Sequence, residues 1–259
     1  MNARLIYPVF PVDLVTKKNK KSMNINMSEK FQTIKTSDGS STFYSEEYQQ
    51  TYHSKHGAVS ECEHIYLNTS GVAERLKKGQ ATRVLEVGFG TGLNFLVTAN
   101  LAQETGTKLE YWGIEKEWLP EKVFQELDHS RNFTGLHDMY SSISSAGAGG
   151  LNNLENKSHT FPFLHNIELH ILLGDACELE IPNHQFHAIY HDAFSPDANP
   201  ELWTSEFFTN IKSKCAQGAI LSTYSSKKAV QRALHGAGFV VEKQPGPWGK
   251  RDILRAIPD

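Results

Sequence analysis

The sequence predicts an α/β fold in which a mostly parallel sheet carries helices on both faces. From residue 81 onward, short runs rich in β-branched residues alternate with segments of helical periodicity. A glycine-rich turn follows the first of these runs. The last two apolar runs, Phe239 to Gln244 and Asp252 to Ile257, are joined by PGPWGKR, which is too short for a parallel crossover. We therefore expect the final strand to be antiparallel.

Seven strands and several helices follow from these patterns. The other predicted strands are Arg83 to Val87, Leu109 to Glu115, Ile167 to Leu173, His187 to Asp192 and Ala219 to Tyr224. The predicted helices are Leu93 to Gln103, Leu119 to Leu127, Ser205 to Ala216 and Lys227 to His235. Residues 141–153, rich in Ser, Gly and Ala, predict a mobile insertion. A seven-stranded sheet with an antiparallel last strand is more typical of class I methyltransferases than of dehydrogenases, whose six strands are usually all parallel.

Length and composition predict a globular, cytoplasmic protein. The chain has 259 residues, 39% hydrophobic and 21% charged. No apolar run approaches the roughly 18 residues that a membrane span needs, so we expect no membrane partner. Cys62, Cys177 and Cys215 are widely spaced, which favours reduced thiols. We expect a flexible basic extension over residues 1–30, N-terminal cap elements over 31–80 and a methyltransferase core over 81–259. Nothing in the sequence indicates the oligomeric state.

Charge is distributed unevenly along the chain. The net charge of −3 combines +4 in residues 1–30, −11 in residues 31–200 and +4 in residues 201–259. A basic C-terminal part can hold a phosphate backbone, although a solvated charged face is an equally simple explanation. The candidate contacts are Lys227, Lys228, Arg232, Lys250 and Arg251, the last two beside Trp248.

The glycine-rich turn is the first candidate binding element. Residues 85–94 read LEVGFGTGLN, so Gly88, Gly90 and Gly92 separate a strand from a helix. Exposed amides at a helix start bind anionic or polar groups. The spacing differs from the G-x-G-x-x-G of dinucleotide sites, and a purely structural turn remains an alternative. Three further residues are expected to line the ligand: Phe89, Thr91 and Asn94.

Acidic residues at the ends of the next strands predict a nucleoside pocket. Glu115 could accept the hydroxyl protons of a ribose, and Asp175, followed by Ala176, could accept an adenine amino group. For Asp175 alone, a helix N-cap is an equally good explanation. Because the carboxyl ends of parallel strands meet at one edge, we expect both carboxylates to face one crevice.

Asp192 is the candidate catalytic residue. It ends the fourth strand and opens the loop HDAFSPDANPELW, so it should point into the same crevice. Phe194 and Trp203 offer flat surfaces for a base in a loop stiffened by Pro196, although Trp203 could also belong to the core. Three nearby histidines suggest a metal site, but they lack acid/His spacing on one helix face, and we expect no metal. The histidines are His184, His187 and His191.

Several motifs resemble one family. LEVGFGTGLNFL, DAFSPDANPELWT and GPWGKRDILRA are similar to the methyltransferase domain of the bifunctional tRNA 5-methylaminomethyl-2-thiouridine biosynthesis proteins, the MnmC type. The segment YSEEYQQTYHSKHGAVSECEHIYL resembles the family's N-terminal part more weakly. The resemblance implies transfer of a methyl group from S-adenosylmethionine to the aminomethyl nitrogen of a modified wobble uridine in the tRNA anticodon loop. The family's FAD-dependent oxidase half has no counterpart in these 259 residues, so we expect a standalone methyltransferase without FAD.

The resemblance also implies residue roles. The three glycines of the turn and Glu61 would line the cofactor, Glu115 the ribose, Asp175 the adenine and Asp192 the amine. Cys62 stands where the family usually has Ser. We expect Asp192 to orient a neutral amine more than to act as a base. Two other functions remain open: a methyl- or aminopropyltransferase for a small amine, since spermidine synthases share such a pocket and acidic loop, and a non-catalytic RNA-binding scaffold.

Overall fold

Two sheets make up the strand structure of the described part of the chain. The computed structural model describes residues 31–37, 39–46, 48–52, 57–147, 158–247 and 252–259. The strands are β1 (Phe31–Lys35), β2 (Ser41–Ser45), β3 (Gln50–Thr51), β4 (Thr82–Val87), β5 (Leu109–Glu115), β6 (Ser158–Leu164), β7 (Ile167–Leu173), β8 (Phe186–His191), β9 (Cys215–Thr223), β10 (Phe239–Gln244) and β11 (Ile253–Pro258).

Helices alternate with the strands of the larger sheet. The α-helices are α1 (Ala58–Cys62), α2 (Val72–Lys77), α3 (Leu93–Thr105), α4 (Glu121–Leu127), α5 (His137–Ala146), α6 (Ser205–Lys212) and α7 (Lys228–Gly236). A π-helix, Glu63–Asn68, continues directly from α1, and 3₁₀ turns occupy His129–Asn132 and Pro200–Trp203. Among the described residues, none of these helices has both the length and the apolarity needed to cross a membrane.

The larger sheet has eight strands in the order β10-β11-β9-β8-β4-β5-β7-β6. Its five central strands, β9 to β7 in that order, are parallel, and β11 runs antiparallel between β9 and β10. The predicted fold class, with its antiparallel last strand, is confirmed. The prediction of seven strands was short by one, because β6 forms an antiparallel hairpin with β7 at the sheet edge. A proline within its sequence SHTFPFL argues against a central strand but is tolerated at an edge.

The sheet lies between two hydrophobic cores. Alternate residues of β4 point to opposite faces, so Val84 packs with Phe95 of α3 in one core. Leu85 and Val87 pack with Phe208 of α6 in the other. Because both faces are covered, every residue from Val84 to Val87 is buried, including the charged Glu86.

Two predicted segments differ from the structure. Helix α6 ends at Lys212, not Ala216, because β9 begins at Cys215. The predicted mobile insertion is wrong for residues 141–146, which complete helix α5. Its apolar side chains, including Ile143, are buried in the first core. Residues 148–157 lie outside the described residues, as does the predicted extension 1–30.

Candidate active site

A cavity of about 340 Å³ opens at the carboxyl ends of β4, β5, β7 and β8. The turn after β4 forms its floor, and the small sheet β1–β3 contributes a wall. Nine of the predicted cofactor-site residues line it: Glu61, Gly88, Phe89, Gly90, Thr91, Asn94, Glu115, Asp175 and Ala176. Gly92, the tenth, begins α3 just outside the lining with a φ of 75°.

The floor depends on a close approach between two backbones. Gly88 has a φ of 90°, and a Cβ atom built there would lie 2.7 Å from the carbonyl oxygen of Asp192. The Asp192 N–H also donates to the carbonyl of Val87 at 2.9 Å. Only glycine satisfies both the conformation and the space, so this residue fixes the glycine turn against Asp192.

Glu115 ties the end of β5 to the same turn. Its Oε2 accepts a hydrogen bond from the Gly90 N–H at 2.7 Å, and its Oε1 accepts one from the Lys116 N–H at 2.9 Å. Removal from bulk water raises the pKa of Glu115, and these amide bonds oppose the rise. The carboxylate is therefore held in place by backbone donors at the cavity wall.

Asp175 caps a turn and also lines the cavity. Its Oδ1 accepts from the Cys177 N–H at 2.9 Å and so caps the turn that follows β7. Its Oδ2 lies 3.9 Å from the Lys116 Nζ, and the residue also lines the cavity. Capping and ligand contact are thus compatible for this carboxylate.

Asp192 follows β8 and faces the cavity with both carboxylate oxygens held by donors. Tyr66 Oη donates to Oδ1 at 2.5 Å, and Asn94 Nδ2 donates to Oδ2 at 2.8 Å. Loss of bulk water around the carboxyl raises the pKa of Asp192 to about 8, and the negative charge of Glu61 adds to the rise while both hydrogen bonds oppose it. Once ionised, such a carboxyl is a stronger base than an ordinary aspartate.

A buried hydrogen-bond network continues from Asp192 into the core. The Asn94 side-chain amide also donates to Glu86 Oε1 at 2.7 Å, and Tyr111 Oη donates to Glu86 Oε2 at 2.8 Å. Glu86 is 1% exposed, and burial raises its pKa well above the usual range. Asn94 therefore bridges two carboxyl groups, which fixes its own orientation.

The small N-terminal sheet contacts the loop after β8. The Gln50 side chain donates to Ser195 Oγ at 2.6 Å and accepts from the Ser195 N–H at 3.2 Å. The ring of Tyr48 stacks on Phe194 with centroids 4.1 Å apart, and Tyr52 meets the same ring edge-on at 5.2 Å. Phe194 lines the cavity, but one of its faces is already covered by Tyr48.

Trp203 lies in the core and not at the cavity, contrary to its prediction as a base-stacking surface. It is 5% exposed, and its ring lies perpendicular to that of His191 with the ring centroids 4.4 Å apart. Its Nε1 donates to the carbonyl of Phe194 at 2.9 Å, so it supports the loop from below. Because the indole ring is large and mostly apolar, its burial in the core stabilises the fold. Pro196 is half-buried in the same loop but does not line the cavity.

The three histidines considered as metal ligands, His184, His187 and His191, take part in packing and hydrogen bonding. Burial lowers the pKa of His191 to about 3, so this ring is neutral. His187 Nδ1 accepts from the Arg83 N–H at 2.9 Å, and His184 packs on Trp112. Within the described ranges, no three His, Cys, Asp or Glu side chains are grouped to hold a metal ion. Trp248, Lys250 and Arg251 lie outside the described residues.

Sequence reasoning missed two groups that shape the cavity. Tyr66, which bonds Asp192, lies 126 positions away from it in the chain, and no local motif marks it. Gln50 and Tyr52 belong to a segment too irregular to assign from periodicity. The only available signal was the resemblance of residues 44–67 to the N-terminal segment of one family.

The fold and this cavity define the class. The chain has the fold of class I S-adenosylmethionine-dependent methyltransferases, with acidic residues at the strand ends facing one crevice. A family model described as "S-adenosyl-L-methionine-dependent methyltransferase" matches residues 150–259. S-adenosylmethionine is the methyl donor of that class.

The more particular resemblance is also confirmed. The chain is 32% identical over 214 residues to the tRNA 5-methylaminomethyl-2-thiouridine biosynthesis bifunctional protein MnmC of Campylobacter hominis, covering 82% of this chain and 31% of that protein. The Burkholderia mallei protein of the same name is 31% identical over 219 residues, covering 80% and 32%. The crystal structure of MnmC2 from Aquifex aeolicus superposes with a TM-score of 0.69 at 29% identity, covering 88% of this chain and 70% of that one. The chain thus spans about a third of the length of the curated relatives.

Gly88→Ala is expected to weaken S-adenosylmethionine binding more than Gly106→Ala does. Both glycines have positive φ, 90° and 64°, so both variants incur a backbone strain of about 1–2 kcal/mol. Only at Gly88 does the new Cβ meet backbone, since nothing lies within 4 Å at Gly106. Calorimetric titration with the cofactor and thermal unfolding make the comparison. Equal loss of affinity in both variants would contradict a cofactor role for the Gly88 turn.

Proposed function

We propose that the protein transfers a methyl group from S-adenosylmethionine to the aminomethyl nitrogen of 5-aminomethyluridine, with or without a 2-thio group, at the wobble position of tRNA. The observation that carries the proposal is Asp192, doubly hydrogen-bonded and facing a cavity that also holds the glycine turn, Glu115 and Asp175. The proposal is also supported by relatives in sequence that are named for tRNA 5-methylaminomethyl-2-thiouridine biosynthesis, and by the similar structure of MnmC2.

The residues present fit the cofactor. Gly88 and Gly90 keep the floor free of side chains, Glu115 can accept from ribose hydroxyls, and Asp175 can accept from an adenine amino group. Six carboxylates line the cavity against one lysine, which suits a positively charged sulfonium. Those carboxylates belong to Glu61, Glu115, Glu117, Asp175, Asp192 and Glu201.

Asp192 prepares the amine for attack. A primary amine is largely an ammonium in water and has no lone pair to donate until it loses a proton. S-adenosylmethionine supplies a methyl carbon activated by the sulfonium charge, and the carbon–sulfur bond breaks with its electrons kept by sulfur as the new N–C bond forms. A carboxylate whose pKa is about 8 can take the ammonium proton, and the neutral pair is favoured where water is scarce.

This assignment sharpens the role expected from the sequence. An ordinary aspartate would remain ionised and would only orient the amine. The surroundings of Asp192 give it both functions, because each of its oxygens is fixed by one donor and keeps a lone pair for the substrate. The wobble base belongs to a loop, so it can enter the cavity without melting a duplex.

We further propose that residues 31–80 cap the cavity. Support comes from the paired hydrogen bonds between Gln50 and Ser195 and from the stack of Tyr48 on Phe194.

A cytoplasmic location follows from a tRNA substrate and agrees with the three free cysteines; fractionation of cells that express a tagged protein would check it.

Nucleoside mass spectrometry of tRNA tests the function directly. In a strain that lacks this protein, 5-aminomethyluridine or its 2-thio form should accumulate while the methylaminomethyl form disappears. The wild-type gene should restore the methylated nucleoside, and the Asp192→Asn gene should not. A normal profile in the deletion strain would refute the proposal. Methylation of a free amine by the pure protein would then favour a small-molecule transferase.

Asp192→Asn should lower kcat/KM by about 10²–10⁴-fold with little change in cofactor affinity. The pH–rate profile of the wild type should have an acid limb with a midpoint near pH 8, because the carboxyl ionises there. The profile of the variant should lack this limb. Initial rates from pH 6 to 9.5 on tRNA isolated from the deletion strain provide the measurement. Wild-type turnover in the variant would remove Asp192 from the reaction.

The same variant should be more stable than the wild type above pH 8. An unfolded aspartate titrates at about 4, whereas the pKa of folded Asp192 is about 8. Stability contributed by the bound proton is therefore complete below about pH 4 and lost as the pH rises through about 8. Replacement by Asn removes that loss. Melting temperatures at pH 6 and 9 separate this effect on stability from the loss of activity.

Lys228→Ala with Arg232→Ala should raise the KM for tRNA and flatten its salt dependence, with kcat little changed. Both side chains are exposed on α7, which begins beside the carboxyl end of β9 on the cavity side of the sheet. Two lost phosphate contacts reduce the slope of log KM against log salt by about 2. Lys77→Ala with Lys78→Ala, at the opposite end of the strands, is the charge-matched control. Equal effects in the two pairs would exclude a specific contact; Lys250 and Arg251 are predicted to act like the first pair.

A further inference from the structure

Tyr66 occupies an unusual place in the backbone. It lies in the π-helix Glu63–Asn68, which has a wider turn than the α-helix before it. Its side chain is 3% exposed, its ring packs against Tyr190 at 5.4 Å, and its hydroxyl reaches Asp192. π-helical turns often occur at functional sites because they redirect a side chain that an α-helix would aim elsewhere.

The Asp192 carboxylate is clamped from two elements. Tyr66 holds Oδ1 from the π-helix, and Asn94 holds Oδ2 from α3. Rotation of the carboxylate about its own bond would break both hydrogen bonds at once. Its plane is therefore fixed, and the remaining lone pairs keep a constant direction toward the cavity.

Burial and a neighbouring carboxyl disfavour the charged form of Asp192. The carboxyl of Glu61 on α1 raises its pKa, and the carboxyl of Glu86 on β4 is linked to it through Asn94. The negative charge of Asp192 in turn raises the pKa of Cys62 on α1 and of Tyr224 after β9. Among the described residues, the side-chain donors to this carboxyl are Tyr66 and Asn94.

We propose that Tyr66 is a positioning residue for the methyl transfer, whose hydroxyl fixes the plane of the Asp192 carboxylate and keeps it ionisable beside Glu61. The inference rests on the proposed function for its catalytic meaning. Burial and the Asp192 charge hold the pKa of Tyr66 well above its usual range, so the hydroxyl keeps its proton and remains a donor. Without this hydrogen bond, burial acts on Asp192 with less opposition, and the pKa of its carboxyl moves above about 8.

The first experiment measures the carboxyl itself, without cofactor or tRNA. Carbon-13 NMR of protein labelled at the aspartate side-chain carboxyl follows Asp192 through a pH titration, and Asp192→Asn assigns its resonance. Tyr66→Phe should move the midpoint upward by at least half a pH unit. In full-length protein with 3-fluorotyrosine at position 66, a stronger donor, the midpoint should move downward. This second variant retains the hydroxyl and guards against misfolding of the first.

Tyr190→Phe is the matched control. It removes another buried tyrosine hydroxyl from the same cluster, two residues before Asp192. The partners of this hydroxyl are Thr98, at 3.3 Å, and Ser70, not the carboxyl. In this variant, the midpoint of the Asp192 titration and the kinetics of methylation should match those of the wild type. A shift as large as that of Tyr66→Phe would show a general loss of packing and overturn the proposal.

The second experiment measures methylation. Tyr66→Phe should lower kcat about 10- to 100-fold, leave the cofactor Kd within about twofold and move the acid limb of the pH profile upward in step with the NMR midpoint. An unmoved midpoint and limb would overturn the role of Tyr66. If Tyr66→Phe moves the Asp192 midpoint but the wild-type protein methylates no tRNA, the interaction of Tyr66 with Asp192 stands and only the proposed function is refuted.

Discussion

The close approach of the Gly88 and Asp192 backbones is the constraint on which the rest of the site depends. Parallel strands β4 and β8 end side by side, and a glycine with positive φ lets the turn after one strand lie directly against the first residue after the other. This contact places a surface free of side chains next to a carboxylate. A methyl donor on the first and an amine at the second would meet without a domain movement.

The burial of carboxyl groups in this region carries an electrostatic cost that their hydrogen bonds relieve only in part. Glu86, Glu115 and Asp192 are withdrawn from bulk water, and the pKa of each is raised. Backbone amides, Asn94 and two tyrosine hydroxyls offset part of that cost. A sulfonium and an ammonium would offset more, so a surplus of negative charge that weakens the empty protein favours the complex.

The sequence predicted which acidic residues share one cavity because its signals lie at strand ends. Glu115, Asp175 and Asp192 each follow a short apolar run, and the rule that parallel strands end at one edge brings them together. Trp203 was ambiguous, since an aromatic residue in a loop can stack on a ligand or enter the core. Its burial was decided by the space beneath the loop, filled by His191 and α6. Strand β6 was not predicted from the sequence, because its pairing with β7 and not its own composition makes it a strand.

The sequence by itself determined the antiparallel end of the sheet, the crevice and, from residue 81 onward, the alternation of strands and helices except for α5 and β6. These features follow from periodicity, loop length and chain connectivity. The tertiary structure alone decided which donors hold Asp192 and how far its proton affinity rises. Tyr66 reaches it from 126 residues away, and the raised pKa reflects the exclusion of water by elements from separate parts of the chain. Hydrogen-bond geometry and desolvation depend on distances in space, which a linear pattern does not contain.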